Sequence, residues 1–350
     1  MDELPFMHVE GDGFKEFVHE LQPQWKSMKR KEVARGVWEL YQMEKAKLMS
    51  EFAAHSIRVS ITTDTWKMDN ASANDTVVSY MKRRLRSKGT LNFDGDFLHL
   101  RCACHIINLV VRDGIDEIED GIEAIWHCVK FIWYSSSKLD KYRDFSVLEQ
   151  LSNTANVPLD VITRWTSTYL MLAAALKYEK VFEMMGDEDD TFKKYFDETD
   201  AKIKKKRAGP PSSQDWRNAQ AFVHFLGKFY EATMKLSAWK KVTAHLLFFE
   251  LIGLQTEIDN KINDDRDPIL QRVACGMKDK FDKYWRSFEQ MNKIIVIANV
   301  LDPRWKLQYQ KKAFAKVGSS PIRVATITSE LKGILMMMYD EYRRSDAAFS

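Results

Sequence analysis

Apolar residues that recur at intervals of three and four constrain the fold of this chain more than any other feature. Between Ile115 and Ile132 the intervals alternate without interruption, at Ile115, Ile118, Ile122, Ile125, Val129 and Ile132. This spacing places the side chains on one face of a helix and predicts that the face is buried. Gly114 precedes the run, which favours two helices here rather than one. Helical spacing also continues beyond residue 213, up to a last helix predicted over about residues 321–343.

A short stretch near residue 60 follows the period of a strand instead. Ile57, Val59 and Ile61 alternate with polar residues, as in a strand with one buried face. Residues 97–103 predict a second short strand, and a helix is expected between the two, with Ser72 as its N-cap. The fold class is therefore α/β + α. We predict an N-terminal helical segment (1–56), a small α/β core (57–165) and a helical domain (166–345).

The composition shifts sharply inside the predicted helical domain. Residues 187–200 carry seven acids, residues 202–207 carry five bases in six positions, and Gly209, Pro210 and Pro211 follow. Dense charge followed by Gly and Pro is typical of a surface segment. A mobile charged loop is therefore predicted near residues 187–213.

The overall charge excludes one class of polyanion-binding protein. Fifty-three Lys and Arg against fifty Asp and Glu give a net charge of +3, so the chain is not histone-like and any contact with nucleic acid needs a local basic patch. Four cysteines are too few for a disulfide framework. The acidic start and the absence of a long apolar run predict an intracellular protein outside the membrane.

One local basic patch stands out. Five of the seven residues from 82 to 88 are basic, and they are the candidate DNA-binding residues: Lys82, Arg83, Arg84, Arg86 and Lys88. On a helix they could contact phosphates. A solvated helix face and a nuclear-import signal are the alternatives. The tract from Lys202 to Arg207 is a weaker candidate of the same kind.

Two further groups of residues have a structural and a functional interpretation. His99, Cys102, Cys104 and His105 invite a zinc site, but their spacing is unusual and no second ligand pair follows, so buried thiols and a histidine at a helix start are favoured. Trp165 and Trp305 each lie beside an arginine and could stack on bases. Packing in the core is favoured for both. No Gly-rich phosphate loop or Gly-x-Ser-x-Gly motif occurs, which argues against nucleotide hydrolysis and serine esterase chemistry.

Six stretches carry a family resemblance: Ile61–Trp66, Asp69–Asp75, Leu98–Leu109, Thr163–Leu172, Phe281–Trp285 and Leu301–Lys306. They resemble motifs of hAT-superfamily transposases and of the plant sleeper-type zinc finger BED proteins derived from them, and they appear in the family's order. The resemblance implies an RNase H-like core joined to a large helical insertion, and an active site in which two Asp and one Glu hold divalent metal. Asp64 matches the first Asp and Asp69 the second. Cys102–His105 matches a Cys-x-x-His motif, so His105 is a third candidate catalytic residue.

The chain also departs from the family, and the departures predict an incomplete core. The family places two strands and a helix between its first two Asp, whereas Asp64 and Asp69 are separated by four residues. On a strand this spacing sends the side chains to opposite faces, and on a helix they lie roughly 140° apart. The third acid, the dimerisation segment and the BED finger also lack matching motifs. We therefore expect a truncated, catalytically inactive protein without a metal; Mg²⁺ or Mn²⁺ is expected only if the site is active.

Together these features predict a transposase-derived DNA-binding protein of the nucleus, a domesticated plant transposon product. Its expected partner is DNA, with protein partners or a second copy of the chain as further partners, and no membrane is expected. Two alternatives stay open. One is an active hAT transposase or nuclease, and the other is a helical protein-interaction scaffold without affinity for DNA.

Overall fold

A computed structural model gives the structure of residues 6–54, 61–63, 71–151, 157–161, 164–199, 206–238 and 241–347. These residues are mainly helical. The chain divides into two units, residues 1–60 and residues 61–350.

The first unit contains two helices. A 3₁₀ turn, Phe6–Glu10, precedes α1 (Asp12–Leu21), and α2 follows as a helix of 25 residues (Arg30–Ala54). The Glu10 carboxylate accepts a hydrogen bond from the backbone N–H of Arg30 at 2.9 Å, which connects the turn to the start of α2. Both helices lie within the segment of residues 1–56 for which the sequence predicts helix.

The second unit begins with the described strands. Strand β1 (Ile61–Thr63) pairs in parallel with β2 (His99–Arg101), so that Thr63 lies opposite Arg101. Parallel strands need a crossover connection, and the connecting segment includes α3 (Ala71–Ser87) and a 3₁₀ turn, Asn92–Gly95. The strand predicted within residues 97–103 is confirmed. Ile57 and Val59 lie outside the described residues, and Ser72 lies inside α3 rather than at its N-cap.

The remaining helices follow β2 without another described strand. They are α4 (Ala103–Ile115), α5 (Glu119–Ile132), α6 (Ser136–Leu148), α7 (Trp165–Ala175), α8 (Glu179–Glu188), α9 (Asp190–Asp197), α10 (Ser213–Leu236), α11 (Ala244–Ile262), α12 (Pro268–Trp285), α13 (Lys293–Leu301), α14 (Lys306–Lys316) and α15 (Pro321–Ala347). A 3₁₀ turn, Asp116–Ile118, separates α4 from α5, which confirms the two helices predicted around Gly114. None of the described helices is both long and apolar enough to cross a membrane.

One hydrophobic core runs through these helices, from Ile106 in α4 to Leu331 in α15. Helix α12 packs against α4 and α11, and α10 packs against α4, α5 and α7. Ile122, Ile125, Val129 and Ile132 are buried as predicted, whereas Ile115 and Ile118 are only partly buried against the core. The predicted boundary at residues 165 and 166 falls in the first turn of α7, and buried side chains on both sides of it belong to this core.

The predicted charged loop contains a helix. Residues 190–197 form α9, and the carboxylate of its N-cap residue, Asp189, accepts a hydrogen bond from the backbone N–H of Thr191 at 2.9 Å. Phe192, Tyr195 and Phe196 are buried, because their spacing gives an acidic segment one apolar face. The loop prediction was therefore wrong for residues 190–197. Residues 206–212 are irregular, and Lys202 to Lys205 lie outside the described residues.

Candidate nucleic-acid interface

The basic tract of residues 82–88 occupies the last turns of α3 and the first residue beyond it. Four of its bases are exposed and Lys82 is half-buried. The side chains of Arg83 and Lys88 make no ion pair or hydrogen bond with any described residue. Positive charge is stabilised at the C-terminal end of a helix by the backbone dipole. This end of α3 therefore presents cationic groups that are available to a polyanion.

Arg84 contributes an aromatic contact to this surface. Its Nη1 donates a hydrogen bond to the Tyr80 hydroxyl at 3.4 Å, and its guanidinium lies 6.0 Å from the centre of the Tyr80 ring. Tyr80 is 52% exposed. An exposed aromatic ring beside arginine is a combination that nucleic-acid surfaces use, since the ring contacts bases or sugars while the cation contacts phosphate.

The other two bases are engaged within the protein. The Arg86 Nε donates a hydrogen bond to the Asp94 Oδ1 at 3.1 Å, which ties α3 to the turn that follows. Lys82 lines a small cleft together with Asp75, Asp96 and His99. Its methylene chain packs so close to Gly95 that a Cβ added there would lie 3.0 Å from the Lys82 Cε. The members of the tract that are most available to a ligand are thus Arg83, Arg84 and Lys88.

The candidate catalytic residues are only partly covered by the structure. His105 lies half-buried in the first turn of α4, while Asp64 and Asp69 lie outside the described residues. Among the described side chains, no three His, Cys, Asp or Glu come together in a way that could hold a metal ion. The described residues therefore supply no site that fits Mg²⁺ or Mn²⁺.

The cysteines beside His105 are partly rather than fully buried. Cys102 is the N-cap residue of α4, and the Cys104 thiol lies 3.9 Å from the Thr233 carbonyl oxygen on α10. Both side chains are intermediate in exposure. The expected burial of these thiols was therefore overstated, because the α4 terminus lies at the edge of the core.

The two tryptophans considered for base stacking are packing residues. Trp165 is 2% exposed. The Trp305 ring stacks on Phe249 with centres 5.0 Å apart and planes inclined by 24°. Trp165 is thus buried and Trp305 already stacks on a neighbouring ring, which favours packing over base stacking for both.

A second basic surface was not visible in the sequence. A cleft of about 430 Å³ lies where β2 meets the end of α12 and the start of α13. Its polar lining comes from His99, Arg101, Lys283, Gln290 and Asn292, and its aromatic lining comes from Tyr284 and Trp285. The two contributing segments are far apart in the chain. In the sequence, Lys283 and Tyr284 look like ordinary residues of a helix. No local pattern joins them to β2.

Contacts within the protein hold this cleft in place. The Arg101 Nη2 pairs with the Asp75 Oδ1 at 3.0 Å, and the Arg101 guanidinium lies 5.9 Å from the centre of the Tyr284 ring. The Asn292 Nδ2 donates a hydrogen bond to the His99 carbonyl oxygen at 2.9 Å. Burial lowers the pKa of His99, and the Arg101 charge lowers it further. His99 is thus a neutral side chain near pH 7.

Two family models match the chain. The ZBED1 RNase-like helical domain matches residues 100–225, and the hAT-like transposase, RNase-H fold, matches residues 245–342. The first match runs from β2 into α10, and the second covers α11 to α14 and most of α15. The RNase-H-fold match thus falls within residues 166–345, which the sequence predicts to form the helical domain.

Curated relatives match over most of the chain. The zinc finger BED domain-containing protein RICESLEEPER 2 of Oryza sativa subsp. japonica is 25% identical over 98% of this chain and 53% of its own length. RICESLEEPER 1 of the same organism is 29% identical over 79% of this chain and 36% of its own length. DAYSLEEPER of Arabidopsis thaliana is 25% identical over 71% and 33%. The chain spans about half or less of the length of these relatives. No solved structure matches it.

Proposed function

We propose that this chain, a homologue of hAT-like transposases and of sleeper-type zinc finger BED proteins, is a transposase-derived DNA-binding protein that acts in the nucleus. The observation that carries the proposal is the exposed end of α3, where Arg83, Arg84 and Lys88 lie together with Tyr80. DNA is the polyanion on which a transposase acts, and this surface has the chemistry to contact its phosphates.

The net charge of the chain indicates which kind of DNA binding to expect. A net charge of +3 supplies little long-range attraction, so affinity for DNA depends on local phosphate contacts. Each phosphate neutralised by Arg or Lys releases counterions, which makes binding weaker as salt rises. Contacts of this type do not depend on base sequence. A sequence-independent affinity with a dissociation constant on the order of 10⁻⁴ to 10⁻⁶ M at physiological salt is consistent with such a patch.

Catalytic inactivity is part of the same proposal. Its support is the short spacing between Asp64 and Asp69. Neither a strand nor a helix brings two carboxylates at this spacing to one pair of metal ions. The protein therefore binds DNA without cutting or joining it.

A salt titration of binding to random-sequence duplex DNA tests the proposal. The double variant Arg83→Ala/Arg84→Ala should bind several-fold more weakly, and the slope of log K against log salt should become shallower by about 1 to 2. Lys311→Ala/Lys312→Ala on α14 is the matched control, since it removes two exposed charges elsewhere. An equal loss in both variants would show that only net charge matters. A lack of binding by the unmodified protein would overturn the proposal and favour an interaction scaffold.

A nuclease assay with Mg²⁺ or Mn²⁺ tests the inactive state separately. We expect no strand cleavage above background. Cleavage that Asp64→Ala abolishes would identify an active enzyme and overturn the second part of the proposal, while leaving DNA binding in place.

A further inference from the structure

We propose that the cleft between β2 and the α12–α13 corner binds a nucleotide, with its phosphate beside Arg101 and Lys283 and its base against Tyr284. The phosphate can belong to a DNA strand or to a free nucleotide, and only the first source rests on the proposed function. The two sources share the chemistry of an anionic phosphate attached to a flat ring.

The lining charge favours an anion. Arg101 and Lys283 carry positive charge, and none of the residues lining the cleft is a carboxylate. A second cleft of similar size has the opposite character, because Asp116, Glu117 and Asp215 outnumber its single cation, Arg272. A phosphate would therefore be attracted to the first cleft and repelled from the second.

Several donors in the first cleft are available. Lys283 is exposed and makes no ion pair with a described residue. Arg101 uses Nη2 for both oxygens of Asp75, which leaves Nε and Nη1 without a hydrogen bond to any described residue. The pair with Asp75 is itself half-exposed, so it is weak and can share the guanidinium with a ligand. The Gln290 amide is also exposed and forms no side-chain hydrogen bond within the described residues.

The aromatic component is Tyr284. Its ring is half-buried and has two cations near it, with Arg101 at 5.9 Å and Lys283 at 5.8 Å from the ring centre. An aromatic face flanked by cations fits a nucleotide, since the ring stacks on the base while the cations contact the phosphate. The volume of about 430 Å³ lies within the range of small-ligand sites.

A smaller cleft beside α3 adjoins this one. His99 lines both, and the smaller cleft also contains Lys82 with Asp75 and Asp96. Because two carboxylates outnumber one cation there, a phosphate is favoured in the first cleft and not in the smaller one.

Binding of an oligothymidylate that carries one 2-aminopurine tests the inference, with thymidine monophosphate and ATP as separate free-nucleotide arms. We expect quenching of 2-aminopurine on binding. Lys283→Gln should weaken binding a few-fold, and Tyr284→Leu should weaken it about five-fold or more and abolish the quenching.

Lys332→Gln, which changes an exposed lysine on α15, is the charge-matched control. Because Tyr284 packs against the core, the melting temperature of Tyr284→Leu is measured alongside, and Lys283→Gln and Gln290→Ala give a readout at exposed positions.

The outcomes separate this inference from the proposed function. Loss of strand binding in the cleft variants supports the site with DNA as its source, and loss of free-nucleotide binding alone supports it with the other source. If strand binding depends on Arg83 and Arg84, and neither strand binding nor free-nucleotide binding changes in any cleft variant, the inference is wrong and the proposed function stands. If the unmodified protein binds free nucleotide but no DNA, the proposed function fails and the cleft stands. Binding to neither overturns both.

Discussion

The side-chain amide of Asn292 donates a hydrogen bond to the backbone carbonyl of His99 at 2.9 Å. The same side chain accepts from the backbone N–H of Ile294 at 3.0 Å, which makes Asn292 the N-cap of α13. One residue therefore connects the short strand β2 to the start of a helix 193 positions later. This contact fixes one wall of the proposed nucleotide cleft.

Removal of this contact should lower stability. Asn292→Ala loses both the cap and the bond to His99, and we expect the free energy of unfolding to fall by about 1–2 kcal/mol. Asn292→Asp keeps the cap acceptor but loses the donor, so a smaller fall is expected. Urea unfolding followed by tryptophan fluorescence measures both. Asn263→Ala, which removes only an exposed local bond to Asp259, is the control, and an equal effect there would contradict this account.

Two glycines in helices should respond oppositely to the same substitution. A Cβ on Gly114 would lie 2.7 Å from the Met277 Cγ and 3.1 Å from the Val273 Cγ1, and both neighbours are fully buried. Gly114→Ala should therefore destabilise the protein by about 1–3 kcal/mol. Gly253→Ala meets nothing within 4 Å and should stabilise α11 by about 0.5–1 kcal/mol. Thermal unfolding measures both, and a stabilising Gly114→Ala would show that α4 and α12 are not tightly packed here.

Asp302 should make stability depend on acid pH. Hydrogen bonds from Arg304 lower the pKa of Asp302 from 3.8 to about 2. Because the pKa is lower in the folded state, the stabilisation is present above about pH 4 and is lost as the pH falls towards 2. Asp302→Asn should therefore be less stable than the unmodified protein at neutral pH, and the difference in melting temperature should shrink in acid. The exposed Asp279→Asn is the control; a difference that stays constant with pH would contradict the prediction.

The buried amides of Asn299 and Gln310 should be energetically coupled. The Gln310 Nε2 donates to the Asn299 Oδ1, and the Asn299 Nδ2 donates to the His245 carbonyl at 2.7 Å. Asn299→Leu leaves the buried Gln310 amide and the partly buried His245 carbonyl without this partner, which should lower the free energy of unfolding by about 2–4 kcal/mol. The double variant Asn299→Leu/Gln310→Leu should lose less than the sum of the single variants. Strict additivity in the urea-unfolding cycle would mean that the two amides act independently.

Local patterns predicted most of the helices, and one charged segment shows their limit. The pair of helices around Gly114 follows from a glycine and from apolar spacing in the immediate sequence. The loop prediction was wrong for residues 190–197 because the seven acids of residues 187–200 obscured the apolar face formed by the three aromatic side chains of α9. Burial of Phe192 and Tyr195 depends on α5, where Phe131 contacts both rings, and that information is absent from the segment itself.

The candidate interface likewise combines features that the sequence predicts with features that only the structure shows. The cluster of bases from Lys82 to Lys88 was evident from the chain alone, as was the motif resemblance that points to transposases. Only the structure separated the bases available to a ligand, Arg83, Arg84 and Lys88, from Arg86, which binds Asp94, and Lys82, which lies against Gly95.

The amino-acid sequence by itself determined where the helices run, which of their faces are apolar and where the dense positive charge lies, because each depends on residues within a few positions of one another. The tertiary structure alone decided that β2 meets the α12–α13 corner and that Arg101, Lys283 and Tyr284 share a cleft. The physical reason is that core packing between α4, α11, α12 and α13 sets the distances between segments that are remote along the chain.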